Sequence, residues 1–267
     1  MHPRPSRAAL TLALLLPLAA CTPAAPAPAD ATATSATASR TPTPAHEVRV
    51  EVAAGDVTLE VTVPGASDDD PRVTVERDDD ASTAAVTFAA AALGDDDAGP
   101  PRIALTSGGT LASRPDGSVV VRDGGTAVGG LSAPRGARLV AVDDTHLEVR
   151  ATAASDAEVA EDAEDAAGAT TVLGTAGVRS ADWGDREGGR SLAVDATAWA
   201  RDAGQAGVDL VWAELVADDP EVDTSTMHDQ LECHAIGAPD KATWNLEPWR
   251  PDVGLVATMA ARCNPTS

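Results

Sequence analysis

The chain has no tyrosine and one phenylalanine in 267 residues, so aromatic side chains make up 2% of it. Large apolar side chains are therefore scarce, and most of any core must be filled by Val, Ala and Leu. Its three cysteines include no C-x-x-C pair, which removes the usual zinc-ribbon and redox motifs. The motifs H-E-x-x-H, H-x-x-x-H and G-x-S-x-G are absent too, excluding the common zinc-hydrolase and serine-elbow signatures. Positive charge is also in short supply: 19 Lys and Arg face 42 Asp and Glu, a net charge of −23. Such a body repels polyanions, which excludes nucleic acid as a partner, and it has no basic face with which to grip an anionic bilayer.

What is present begins with an address. Arg4 and Arg7 precede the apolar run Ala8 to Ala20, which is too short to span a bilayer as a helix. The run closes on Leu18-Ala19-Ala20-Cys21, which resembles the processing box of a bacterial lipoprotein. That resemblance implies cleavage of residues 1–20 and a thioether-linked, palmitate-type lipid on Cys21, placing the protein on the extracytoplasmic face of the cell membrane. Residues 21–45 consist almost wholly of Ala, Pro, Thr and Ser and can bury nothing. Stretched as polyproline II at about 3.1 Å per residue, this tether reaches on the order of 75 Å. Once Cys21 is lipidated, Cys233 and Cys263 remain as an even pair in an oxidising compartment. They are expected to form one disulfide that closes a loop of about 30 residues and stabilises by about 3 kcal/mol.

The expected fold class is α+β: a β-rich, sandwich-like N-terminal domain over 46–153, an acidic Ala-rich linker over 154–177 and a small disulfide-bonded module over 178–267. Short β-branched runs of period two at 48–52, 57–63, 72–76, 84–90, 118–123, 137–143 and 146–152 carry the first part. The segment 116–151 resembles a β module that precedes varied C-terminal domains in secreted actinobacterial proteins, which implies a spacer role. Three aspartate triplets, Asp68–Asp70, Asp78–Asp80 and Asp95–Asp97, lack calcium-loop spacing and read as solvated turns.

All five tryptophans lie beyond residue 180. Two strands are expected around Gly188-Gly189, then a helix from about Gln205 to Val216. A shorter helix follows, capped by Asp223 or Thr224 and running through Met227 and Leu231. The pieces Met227 with Asp229-Gln230, Cys233-His234, Lys241 with Trp244-Asn245-Leu246-Glu247, Trp249-Arg250-Pro251-Asp252 and Arg262-Cys263-Asn264-Pro265 resemble the module known as domain of unknown function 2599 of secreted actinobacterial proteins. That resemblance implies an extracytoplasmic module with a disulfide and transfers no catalytic residue.

The same stretch concentrates polar groups, and two readings of them stand side by side. A hydrolase would use His234 as general base, Glu247 or Asp229 to orient it, and Arg250 or Asn245 to hold an oxyanion, but Ser225 makes a poor nucleophile without an elbow. A structural reading pairs Glu247 with Arg250 and hydrogen-bonds His234 beside the disulfide. As a binding face the candidates are Trp244, Asn245, Trp249 and Arg250, with Trp249 expected in the core and Arg250 partly exposed. His228 and Glu232 stand one helical turn apart with His234 off that face, so no metal and no cofactor are expected. The expected function is binding or display at the cell surface, toward a cell-wall or protein partner. The alternatives are an extracytoplasmic hydrolase and a purely structural envelope protein.

Overall fold

The computed structural model describes residues 46–94, 98–152, 168–186 and 188–266. The lipoprotein-like signal, the tether, the third aspartate triplet and most of the acidic linker lie outside the described residues. Among those described, no helix is long and apolar enough to cross a membrane.

Fourteen strands and four helices are seen among the described residues, in three antiparallel sheets. The first sheet takes β1 (Glu47–Ala54), β2 (Val57–Pro64), β5 (Arg102–Leu105), β10 (His146–Ala151) and β9 (Ala137–Ala141), in that order. The second orders β3 (Val73–Arg77), β4 (Thr83–Phe88), β11 (Ala169–Gly174), β8 (Thr126–Leu131), β7 (Val119–Asp123) and β6 (Thr110–Ser113). Alternation works as period-two patterning requires: Leu59, Val61, Val86, Phe88, Ile103, Leu147, Val149 and Leu173 enter one cluster fed by both sheets. Phe88, the only phenylalanine, is fully buried there, and Val, Ala and Leu supply most of the rest.

The two described aspartate triplets are turns. Asp78 accepts hydrogen bonds from Thr83 N (3.0 Å) and Thr83 Oγ1 (2.8 Å), and Asp80 Oδ1 accepts from Ser82 N at 2.9 Å. Their carboxylates thus close the β3–β4 connection.

The C-terminal part contributes the third sheet, β12 (Val178–Arg186), β13 (Gly189–Ala196) and β14 (Trp244–Leu246), with β13 in the middle. Four helices accompany it: α1 (Ala198–Asp202), α2 (Gln205–Asp218), α3 (Ser225–Gly237) and α4 (Leu255–Ala260). Thr224 is the cap of α3, its Oγ1 accepting from Met227 N at 3.3 Å. The disulfide joins Cys233 on α3 to Cys263 just past α4, with a sequence separation of 30.

Ala169–Gly174, inside the stretch read as linker, forms a central strand of the second sheet, paired to β4 and β8. Beyond it the two parts are joined through a dense seam. Asp116, in the β6–β7 turn, caps the N-terminus of α2: its Oδ2 accepts from Gln205 N at 2.6 Å, while Ser118 Oγ accepts from Ala206 N at 3.1 Å. Burial pushes the Asp116 carboxyl up, but hydrogen bonds from Ser118 and Gln205 outweigh it and hold it below its usual range. Arg114 and Arg122 both reach Asp209 on α2. Trp199 lies flat in a slot that glycine leaves open, since a Cβ on Gly174 would stand 2.2 Å from its Cδ2. Trp199 Nε1 also donates to Val172 O at 3.0 Å.

Gly174→Ala is therefore expected to overpack the seam and cost about 1–3 kcal/mol. Asp116→Ala should cost about 1–2 kcal/mol through the lost cap. Denaturant melts followed in parallel by Trp fluorescence and far-UV circular dichroism check both, and the two signals should coincide in one transition that includes the β-rich part.

Candidate functional site

β14 is the edge of its sheet, so the backbone groups of alternate residues on its outer side need partners. Two side chains of α3 supply them. Gln230 grips Glu247 at both ends, its Nε2 donating to Glu247 O at 3.1 Å and its Oε1 accepting from Glu247 N at 3.0 Å. One helical turn on, His234 Nε2 meets Asn245 O at 3.1 Å. The spacing matches: four residues of helix rise about 6 Å, and two residues of strand advance about 6.6 Å. Met227 and Leu231, on the neighbouring stripe of α3, pack with Trp244 and Leu246 in the core.

A carbonyl can only accept, so Nε2 of His234 carries the proton and Nδ1 is left as a bare lone pair. That Nδ1 is buried without a hydrogen-bond partner, as are Ser191 Oγ and Asn245 Oδ1. Burial, followed by the positive charges of Lys241 and Arg250, lowers the His234 pKa to about 4, against the weaker upward pull of its bond to Asn245. The imidazole is neutral at ordinary pH, and its one hydrogen bond goes to Asn245 O rather than to Glu247.

Glu247 is instead paired with Arg250, whose Nε donates to Glu247 Oε2. Both are buried, at 2% and 4% exposure, and Arg250 Nη1 also donates to Pro265 O at 3.3 Å. The pair thus ties the turn after β14 to the segment beyond the disulfide. The expected exposures of Trp249 and Arg250 are reversed. Trp249 is 42% exposed and stacks under the Arg250 guanidinium at 4.6 Å, where it lies across Gly189. The physical reason is that only glycine at 189 leaves room for the ring against the outer face of the hairpin, whereas the charge pair is enclosed by the chain terminus. Trp244 is fully buried and Asn245 half-buried, so Trp244, Asn245, Trp249 and Arg250 do not make one open face.

Other candidates separate as well. Ser225 Oγ donates to Asp252 Oδ2 at 2.6 Å rather than to a histidine. Asp229 does not orient His234. Its carboxyl is pushed up by burial and by the negative charge of Asp252. His228 and Glu232 come together with Asp229 rather than with His234.

One organising residue carried no sequence signal beyond a lone basic group in an apolar helix. Arg201 donates to the carbonyls of Ala196, Pro239, Lys241 and Ala242 and to Asp195, and lies 4.8 Å over Trp244. It fixes the loop that leads into β14.

The cluster can therefore hold an edge strand but offers no nucleophile, no oriented general base and no open floor for substrate. A cleft of about 920 Å³ lies elsewhere, lined by Asp78, Thr83, Ser132, Arg179, Trp199 and Asp202 among others.

Two measurements follow. Because the folded-state pKa of His234 lies below its unfolded value near 6.5, its contribution is fully present above pH 6.5 and is lost as pH falls toward 4. The parent should lose roughly 3 kcal/mol across that window beyond any loss in His234→Gln, read from denaturant melts at stepped pH. Arg250→Ala should cost about 3–5 kcal/mol by leaving a buried carboxylate alone, far more than Trp249→Ala.

Residues 178–266 match a family model described as "Protein of unknown function (DUF2599)". Uncharacterized proteins of Mycobacterium bovis and Mycobacterium tuberculosis are each 46% identical over 71 residues, which is 25% of this chain and 48% of theirs. One of Mycobacterium leprae is 39% identical over 61 residues, 21% of this chain and 50% of its own. The chain thus spans about half the length of the curated relatives it matches. No solved structure matches it. From β12 to the end of the described chain, the C-terminal part resembles the DUF2599 family.

Proposed function

We propose that this protein is a lipid-anchored envelope protein whose folded body binds or is displayed at the extracytoplasmic face of the membrane. The observation that carries the non-catalytic part of this reading is the commitment of the polar cluster: His234 is spent on a backbone carbonyl and Glu247 on Arg250. The buried Cys233–Cys263 disulfide suits an oxidising compartment. The β-rich part, whose two large sheets feed one core cluster, serves in this reading as a sandwich-like spacer that lifts the C-terminal module from the surface. Binding falls to the 920 Å³ cleft, whose hydroxyls and mixed charges suit a polar ligand of the cell wall or a protein segment.

Cys21→Ala is expected to move the protein from the membrane fraction to the medium or to leave an uncleaved precursor. A Cys21→Ala form as tightly membrane-bound as the parent would overturn the anchor. Ester, peptide and glycan substrates should show no turnover. Turnover abolished by His234→Ala, with an unchanged melting midpoint, would favour the hydrolase instead.

A further inference from the structure

We propose that His228, Asp229 and Glu232 form a surface site for a divalent transition-metal ion of the zinc class. The ligand atoms of the three side chains lie within 4.8 Å of one another, and all three residues are half-buried. His228 and Glu232 are one turn apart on α3, so imidazole and carboxylate rise from the same face, with Asp229 beside them. Bond lengths of about 2.0–2.2 Å to zinc would place ligand atoms about 3.0–3.5 Å apart, a contraction that rotation of the Glu232 and Asp229 side chains can supply.

Two further observations bear on the site. The His228 ring meets the ring of Trp212 on α2 edge-on, with centroids 4.7 Å apart, which steadies the imidazole through a second helix. Glu232 also borders a cleft of about 240 Å³ shared with Gln205, Val208 and Arg114. Arg114, the cation in that lining, is already paired with Asp209. The imidazole decides the class of ion, because calcium and magnesium prefer all-oxygen shells whereas nitrogen with two carboxylates suits zinc, cobalt or nickel. The site is separate from the strand clamp, since His234 faces β14.

The test is calorimetric titration of the metal-free full chain with zinc chloride near neutral pH, with magnesium chloride as comparator. One saturating equivalent of zinc is expected, with no comparable magnesium binding. His228→Ala and Glu232→Gln should each weaken zinc at least about tenfold. His146→Ala, whose ring sits on β10 beside Asp143, should leave it unchanged. If His228→Ala disturbs the packing with Trp212, Glu232→Gln decides, its metal-free melting midpoint being required to match the parent's. No saturable zinc binding, affinity unchanged in Glu232→Gln, or equal affinity for magnesium would overturn the proposal.

Discussion

The free edge of β14 is the constraint around which the C-terminal module is arranged. A three-residue strand at the rim of a small sheet leaves peptide groups that burial would orphan, at a cost of about 1–3 kcal/mol each. Another strand would cover them, but here a helix does so with side chains. Gln230 reproduces both hydrogen bonds a neighbouring strand would make to Glu247, and His234 takes the carbonyl two residues back. The coincidence of about 6 Å per helical turn with about 6.6 Å per strand dipeptide lets one face of α3 serve both positions while its apolar stripe fills the core. The disulfide and the Glu247–Arg250 pair then hold the last segment against this assembly.

In that arrangement the residues with catalytic chemistry are committed to structural contacts. A general base needs a free lone pair facing substrate and a partner that stabilises its protonated form. The free nitrogen of His234 is enclosed, its charged neighbours are cations, and the nearby carboxylate is neutralised by an arginine. Each feature favours a neutral, immobile imidazole, which suits a clamp.

Much of this was legible in the sequence, and the limits have physical causes. Period-two runs located the long strands, helical spacing located α2 to within two residues, and cysteine parity gave the disulfide. Strands β5 and β6 are four residues each, too short for a pattern to emerge, and β8 is weakened as a signal by Gly129 and Gly130. Gly130 is required because a Cβ there would stand 2.8 Å from Val119 O on β7 and 3.0 Å from the Cβ of Ala206 on α2, contacts that exist only once the sheet has paired and α2 has docked. β11 follows an acidic alanine run, and composition alone does not separate it from that run. The polar residues of the cluster were visible as a set, but their roles depend on which backbone atoms face α3. That is a property of the folded sheet edge and leaves no trace in spacing. The seam was likewise hidden, because Asp116 and Gln205 are 89 residues apart.

The most direct test of the clamp is the hydrogen-exchange rate of the Glu247 amide, measured by NMR on the parent and on Gln230→Leu, a substitution that keeps bulk while removing both hydrogen bonds. The account predicts strong protection of the Glu247 amide in the parent and its selective loss in Gln230→Leu, with the amides of Leu192 and Val194 on β13 still protected. Equal protection of Glu247 in both proteins would contradict it.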